Sequence, residues 1–172
     1  MPLPFAKVRI VECGTLLAGR FTAKLFADQG AEVVIVADHD CKNVKEFNAE
    51  TNAYLNRGKV KLDLPEGKPK ADAIKSGDIV IVDGESAACE RSGQQILLRV
   101  CAALIGDQRY GYLPHDCDDD LLSALVGFYT NMAQSPFLDR KVIYTPLRLC
   151  SLYCGVLGAV ACAAALVDRE RS

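Results

Sequence analysis

The pattern of apolar and polar residues at the start of the chain predicts a strand–helix–strand unit. Residues Lys7–Cys13 alternate apolar and polar side chains, which is typical of a strand. Apolar residues at helical spacing predict a helix over Ala18–Gln29, followed by Gly30, a residue that tolerates the positive φ favoured at helix ends. Glu32–Val36 is a nearly continuous apolar run, as expected of a strand covered on both faces. This order predicts a right-handed parallel crossover.

The remainder of the chain continues to alternate strands with helices. Polar residues 38–51 predict a surface excursion. Further strands are predicted at Val60–Leu64, Asp78–Asp83 and Ala102–Ile105, and further helices in a lysine-rich stretch after Gly67 and at Gln94–Val100, Asp120–Asn131 and Leu149–Val167. This alternation predicts an α/β protein with a Rossmann-like, doubly wound and mostly parallel sheet. Because the sequence contains neither an internal repeat nor a low-complexity linker, we expect residues 1–172 to form a single domain.

Charge and cysteine usage exclude some classes of function. The net charge is −2 and the basic residues are scattered along the chain, so nucleic-acid binding is not expected. The eight cysteines form no Cys-x-x-Cys pair, and several lie in apolar runs, where a thiol behaves as a small hydrophobe. The first residues lack the basic and long apolar regions of a secretory signal. We therefore expect a reduced, intracellular protein.

The segment Gly14–Arg20 lies between the first predicted strand and helix, where phosphate-binding loops occur. It comes within one residue of Gly-x-x-x-x-Gly-Lys, but Arg20 replaces the lysine and Phe21 replaces the hydroxyl residue that binds Mg²⁺. Backbone N–H groups at a helix N-terminus, with Arg20 beside them, suit an anion. The segment is thus either an anion contact or an ordinary tight turn.

The acidic run His115–Asp120 has two interpretations, a metal site or a helix cap. Consecutive residues rarely converge on one ion, and the only other histidine is His39. Aspartates directly before Leu121 favour capping, because their charge opposes the positive end of a helix. We therefore predict no metal site.

The segment Leu149–Val167 is uncharged over nineteen residues, just long enough to span a bilayer. It is rich in Ala, Gly and Cys, which drive membrane insertion weakly. Gly155 and Gly158 permit close packing of another element. A buried core helix is favoured over a membrane span.

Several short motifs occur in the same order in one known family. They are Leu17-Ala18-Gly19-Arg20, Phe26–Ala31, Glu32–Ala37, Leu55–Lys59, Leu62–Leu64, Asp78–Val82, Arg91 with Gly93, and the helix around Tyr153–Leu166. Together they resemble the N-terminal part of the family III CoA-transferases, the group of formyl-CoA transferase, carnitine-CoA transferases and α-methylacyl-CoA racemase. The resemblance implies a Rossmann-like large domain and covers less than half of a normal family member.

Departures from the family pattern imply that catalysis has been lost. In the family, an aspartate just before the last helix takes up the acyl group or moves a proton, and alignment on Gly158 puts Arg148 at that position. Arginine can neither form an anhydride nor act as a base at neutral pH. An arginine that contacts CoA is replaced at Ala37-Asp38, and the CoA-cradling loop has become Gly84–Ala88. The family's C-terminal domain is not found in this chain.

The leading hypothesis is a pseudoenzyme that serves as a structural or accessory subunit of a larger complex. Its partner surface would be the 149–167 helix and the adjacent sheet edge, and the family's role in acyl-CoA metabolism favours a mitochondrial over a cytoplasmic setting. No catalytic residue and no cofactor are expected. One alternative is an active CoA-transferase or acyl-CoA racemase that uses Asp119 or His115 as its acid or base. Another is a CoA- or nucleotide-binding regulatory domain, for which the candidate anion contacts are Leu17, Ala18, Gly19, Arg20 and Arg91.

Overall fold

A computed structural model of the chain describes residues 3–36, 47–63, 68–83, 93–100, 119–125, 127–129 and 147–171. These residues group into two compact units. The first comprises Met1–Cys101 and Cys154–Ser172, and the second comprises Ala102–Tyr153. Each unit is described in turn.

The first unit is built on a five-stranded sheet in the order β3-β2-β1-β4-β5, and every neighbouring pair of strands is parallel. Its strands are β1 (Arg9–Glu12), β2 (Glu32–Val36), β3 (Lys59–Leu62), β4 (Ile79–Asp83) and β5 (Ile96–Val100). Its helices are α1 (Leu17–Asp28), α2 (Ala49–Asn56), α3 (Lys68–Lys75) and most of the last helix of the chain. The predicted α/β class and parallel sheet are confirmed.

Both faces of this sheet are covered because its strands are apolar on both sides. In β1, Ile10 and Val11 point to opposite faces, and both are fully buried. Ile10 packs with residues of α1 and of the last helix, whereas Val11 packs in the core that includes Ile74 of α3. Helices on both faces are the usual consequence of parallel strands with continuous apolar runs.

The structure corrects one predicted element and adds another. Gln94–Val100 was predicted as a helix, but Ile96–Val100 is strand β5, paired in parallel with β4. The prediction failed because a short apolar run fits either periodicity, and here β4 offers an edge to pair with. The buried Gln95 side chain holds the start of β5 by donating to the backbone oxygens of Ile74 and Gly77, at 2.8 and 2.7 Å. Helix α2 was missed, since it has no apolar periodicity. The predicted strand Ala102–Ile105 lies outside the described residues.

The last helix, α5 (Leu149–Arg171), belongs to the second unit over its first five residues and to the first unit thereafter. Within the first unit it lies close against α1. A Cβ atom built on Gly155 would come within 2.9 Å of the Ala18 carbonyl oxygen and 3.0 Å of the Phe21 ring. The Thr22 hydroxyl is 2.8 Å from the Gly155 oxygen. Near the other end of α5, Arg169 donates to Asp78 at 3.0 Å.

The two sides of α5 differ in burial although both are apolar. The inward side places Gly155, Cys162 and Leu166 in buried positions, whereas Leu157 and Val160 are 69% and 62% exposed. Among the described residues, α5 is the one helix whose length and composition would suffice to cross a membrane. Its inward side packs against α1 and the sheet core. Only 17% of its most apolar 18-residue window is buried, so the prediction of a buried core helix holds for that inward side alone.

The second unit contains α4 (Asp119–Leu125), residues 127–129 and the segment 147–153 that starts α5. Gly127 has a φ of +72°, a conformation that other residues adopt only with strain, and it follows α4 as helix-ending glycines commonly do. The Tyr129 hydroxyl donates to Asp120 at 3.3 Å, and its ring lies edge-on to Phe128. Within the predicted helix at 120–131, Asp119–Leu125 and residues 128–129 are helical, and Gly127 lies in a turn between them. Residues 126, 130 and 131 lie outside the described part of the chain.

We expect the substitution Gly155→Ala to destabilise the protein by about 1–3 kcal/mol, because the added methyl group collides with the backbone of α1. In an ordinary helix interior the same change stabilises by about 1 kcal/mol, so the sign of the effect reports the close contact. Urea denaturation measures the change in the free energy of unfolding. Gly93→Ala would not be a suitable control, because Gly93 has a positive φ. The control is Ala164→Gly on the exposed side of α5, which should cost about 1 kcal/mol through propensity alone. A more stable Gly155→Ala variant would contradict the packing.

Candidate functional site

The order of the strands places a topological switch point between β1 and β4. From β1 the chain proceeds to β2 on one side, while β4 and β5 lie on the other side. In doubly wound sheets, ligands bind at the carboxyl ends of the two strands that flank such a point. The turn of residues 13–16 follows β1 there, and its Cys13 N–H donates to the Ile81 oxygen of β4 at 2.9 Å. The residues directly after β4 lie outside the described part of the chain.

Four of the five candidate anion contacts lie in the first turn of α1. Leu17 is half-buried, and Ala18, Gly19 and Arg20 are buried. The helix begins after Leu16, whose side chain makes no capping hydrogen bond. The fifth candidate, Arg91, lies outside the described residues. The anion role of this turn stays a prediction.

The guanidinium group of Arg20 contacts protein on several sides. Its Nη2 atom donates to the side-chain oxygens of Asn52 and Asn56 on α2, at 3.0 and 3.1 Å. Its Nε atom lies 3.9 Å from a Glu12 carboxylate oxygen, and the group stacks 5.2 Å from the centre of the Phe47 ring. Arg20 therefore joins α1 to α2 and β1.

A buried ion pair next to Arg20 was not foreseen from the sequence. The Lys59 ammonium donates to a Glu12 oxygen at 2.6 Å and to the Arg20 backbone oxygen at 2.8 Å. The Lys59 side chain is fully buried and Glu12 is 2% exposed. Burial lowers the pKa of Lys59, an effect that the Glu12 charge opposes and that the charges of Arg20 and Lys24 reinforce. The sequence did contain one signal for the burial of Glu12. Side chains two residues apart on a strand point to the same face, so Glu12 shares its face of β1 with the apolar Ile10.

A second ion pair extends this charged cluster along α1. The Lys24 side chain is fully buried, donates to Asp28 one turn later, and lies 5.1 Å from the centre of the Tyr54 ring. The hydrogen bond from Lys24 holds the pKa of Asp28 below its usual range, with a further contribution from Arg57. The helix α1 thus presents two buried cations to α2 and the sheet.

In the second unit, Asp119 binds the start of α5. Its carboxylate accepts from the Ser151 N–H at 3.1 Å and from the Ser151 hydroxyl at 2.7 Å. A carboxylate in this position satisfies an N–H group of the first helical turn and opposes the positive end of the helix. Asp119 and Asp120 also lie in the first turn of α4, where their charge opposes the positive end of that helix. The capping role of the whole acidic run stays a prediction. His115 lies outside the described residues.

Two further features of the second unit bear on chemistry. Arg148 directly precedes α5 and is exposed. Ser123 and Cys150 lie within hydrogen-bonding distance, with 3.3 Å between the hydroxyl oxygen and the sulfur. Within the described ranges, no group of three or more His, Cys, Asp or Glu side chains is placed to hold a metal ion.

Comparison with known proteins identifies a family. The family model of CoA-transferase family III matches residues 5–172. A curated relative, the CoA-transferase/lyase DddD of Marinomonas sp. (strain MWYL1), is 29% identical over 185 residues, which cover 99% of this chain and 22% of the relative.

Solved structures share the fold at lower identity. A CAIB/BAIF family protein from Brucella suis has a TM-score of 0.74 and 18% identity, covering 99% of this chain and 51% of that protein. A hypothetical protein from Mycobacterium tuberculosis has a TM-score of 0.66 and 20% identity, covering 98% and 51%. The chain therefore spans about half the length of these structures and about a fifth of the curated relative.

We expect the described cysteines to differ in their reaction with maleimide at neutral pH. Cys154 is exposed and should react in the native protein, whereas burial raises the pKa of Cys162 to about 11. The thiolate is the nucleophile, so Cys162 should react on the order of a hundredfold more slowly than a thiol with the ordinary pKa. This difference should disappear when the protein is unfolded. Peptide mapping by mass spectrometry measures both sites in one sample. Equal labelling of the two cysteines in native protein would contradict the packing of α5.

Proposed function

This chain belongs to CoA-transferase family III, and we propose that it is a non-catalytic member that acts as an accessory subunit of a larger protein complex. The observation that carries this proposal is the apolar outward side of α5. Val156, Leu157, Val160 and Val167 are all exposed there. Contiguous exposed apolar side chains on a folded protein usually mark a contact with another protein.

The two-sided burial of α5 supports this assignment. The inward side already packs against α1 and the sheet core through small residues such as Gly155 and Gly158. The outward side is apolar without a charged residue until Asp168. Covering a few hundred Å² of such surface at roughly 25 cal/mol per Å² stabilises by several kcal/mol, comparable to the stability of a whole domain. A partner on this side would therefore bind with useful affinity.

The loss of catalysis is proposed from the residue that precedes α5. By alignment on Gly158, Arg148 takes the position of the family's acyl-accepting aspartate. A guanidinium group carries no nucleophilic oxygen and stays protonated at neutral pH. Arg148 therefore cannot accept the acyl group as the family's aspartate does.

Weak or negligible binding of CoA is proposed from the surroundings of the anion turn. The Arg20 guanidinium is directed to Asn52, Asn56 and Glu12, and a bound phosphate would compete with these contacts. Asp38, in place of a family arginine, adds negative charge near where the family places the nucleotide. Two like charges a few ångströms apart repel by about 1 kcal/mol or more even in well-solvated positions.

A reducing compartment is part of the proposal, with the mitochondrion favoured. Cys13, Cys150, Cys154 and Cys162, the cysteines in the described part of the chain, form no disulfide bond there. Cysteines outside disulfides are typical of reducing compartments. The mitochondrial setting follows from the family's role in acyl-CoA metabolism.

We expect Leu157→Asp to remove the chain from its complex while leaving its fold intact, because Leu157 is 69% exposed and a carboxylate there would be desolvated on binding. Quantitative mass spectrometry of the tagged chain, purified from the native organelle, gives the stoichiometry of co-purified subunits. Circular dichroism and urea denaturation check the fold.

The matched control is Val60→Asp, which adds the same charge at an exposed valine on the opposite face of the sheet. Complex formation should survive this change. A wild-type chain that purifies alone, or equal loss in both variants, would refute the partner surface on α5.

A second candidate function is an active CoA-transferase or acyl-CoA racemase that uses Asp119. The specific observation in its favour is the contact of the Asp119 carboxylate with Ser151, at the start of the helix that the family's aspartate precedes. The carboxylate would thus compensate for Arg148. The capping role explains the same contact without any chemistry.

We expect no turnover of succinyl-, formyl- or 2-methylacyl-CoA by the purified wild-type chain, as followed by acyl exchange and epimerisation. The pair Asp119→Asn and Asp119→Ala separates the two roles of Asp119. Asparagine retains an oxygen that accepts from Ser151 but forms no anhydride, so stability should be kept. Alanine should cost about 1 kcal/mol of stability through loss of the cap. Wild-type turnover that disappears in Asp119→Asn at unchanged stability would establish the second candidate instead.

A further inference from the structure

Residues 47–62, which comprise Phe47, Asn48, α2 and β3, form an edge segment of the first unit with few apolar anchors. Leu55 is the buried residue of α2, and the remaining residues of that helix are exposed or half-buried. Among the strands that the structure describes, β3 lies at the edge of the sheet and pairs with β2. Val60 on β3 is 55% exposed, while Leu62 is half-buried against the sheet core. Few buried apolar contacts and an edge position mark the parts of a protein that open locally.

The segment is instead fastened by polar and cation–ring contacts to α1. Arg20 donates to Asn52 and Asn56 and stacks on Phe47. Lys24 lies over the Tyr54 ring. The Arg57 guanidinium lies 3.6 Å from Asp28. All these contacts would be replaced by water if the segment moved away from α1.

The charge pair at the base of the segment opposes its closure. With the segment closed, the Lys59 ammonium and the Glu12 carboxylate are both removed from water. Burial is the largest influence on the pKa of Lys59 and lowers it, and with the repulsion of Arg20 and Lys24 it outweighs the attraction of Glu12. A buried ion pair of this kind contributes little to stability while intact, yet leaves a costly lone charge when one partner is removed.

We propose that residues 47–62 form a strap that opens and closes as one unit over Arg20, with the buried charges of Glu12 and Lys59 setting the balance between the two states. Opening hydrates both charges and uncovers the guanidinium group at the start of α1, next to the switch point of the sheet. The core strands β1 and β4 stay in place, because Ile10, Val11 and Val80 are fully buried by other elements. This inference concerns the first unit and is independent of the proposed function.

Hydrogen exchange of the full chain, followed by mass spectrometry, tests the strap. In Glu12→Gln the ammonium stays buried without its anion, so exchange in peptides from 47–62 should rise at least tenfold. Peptides from β1 and β4 should keep their protection. In Glu12→Gln/Lys59→Met both charges are gone, while glutamine still offers an oxygen to Arg20, so protection of the segment should return to the wild-type level or above.

The matched control is Lys61→Met, two residues from Lys59 on the same strand but with an exposed side chain. It should leave exchange in 47–62 unchanged. If Glu12→Gln accelerates exchange equally in β1 and β4, or leaves 47–62 unchanged, the strap does not exist as a separate unit.

A pH series on the wild-type chain tests the strap without any variant. The charged groups that face Lys59 are Glu12 on β1 and Arg20 and Lys24 on α1. Because the pKa of Lys59 is lowered only in the closed state, the closed state binds fewer protons, and raising the pH towards 10.5 favours closure. Acylation with N-hydroxysuccinimidyl acetate should therefore give a lower ratio of modified Lys59 to modified, exposed Lys61 at pH 9.5 than at pH 7.5. A constant or rising ratio would overturn the role of Lys59 in the balance.

Discussion

Strands that are apolar on both sides must be covered on both faces, and this requirement shapes the first unit. Ile10 and Val11 are adjacent in β1 and are both fully buried, one on each face. The helix α3 contributes to the core on one face, and α1 with α5 covers the other. Since α5 packs beside α1 on one face, the two helices lie so close that the backbone of Gly155 contacts the backbone of α1 at Ala18. Small residues on the inward side of α5 are the consequence of that approach.

The helices that cover the sheet also bury charged groups away from water. Glu12 shares a face with Ile10, so its carboxylate lies beneath α1 and needs a partner. Lys59 provides it from the edge strand, and Arg20 and Lys24 add cations from the helix. The position of the edge segment on the sheet therefore depends on charge and hydration. This contrasts with the central strands, which are held by apolar packing that does not depend on charge.

The helix α5 connects the fold to the proposed role of the protein. Its inward side is committed to the sheet and α1, whereas its outward side is equally apolar and exposed. The helix lies within the part of the chain that the family model matches, residues 5–172. At its start, the proposed alignment gives Arg148 the position of the acyl-accepting aspartate, and the Asp119 carboxylate of α4 accepts from Ser151 nearby. The proposed loss of catalysis rests on this difference in charge at position 148.

The sequence by itself determined the elements with strong periodicity and the family. Strand β2 begins and ends where its apolar run does, and α1, β4 and α5 lie within a few residues of their predicted bounds, because burial of a whole side requires an unbroken pattern. Only the tertiary structure decided the identity of Ile96–Val100, which became a strand because β4 had an open edge. It also paired Glu12 with Lys59, 47 residues apart, and turned Arg20 towards Asn52 and Asn56. Local pattern records which side of an element is buried, but the partner of a buried charge depends on which distant residues the fold brings together.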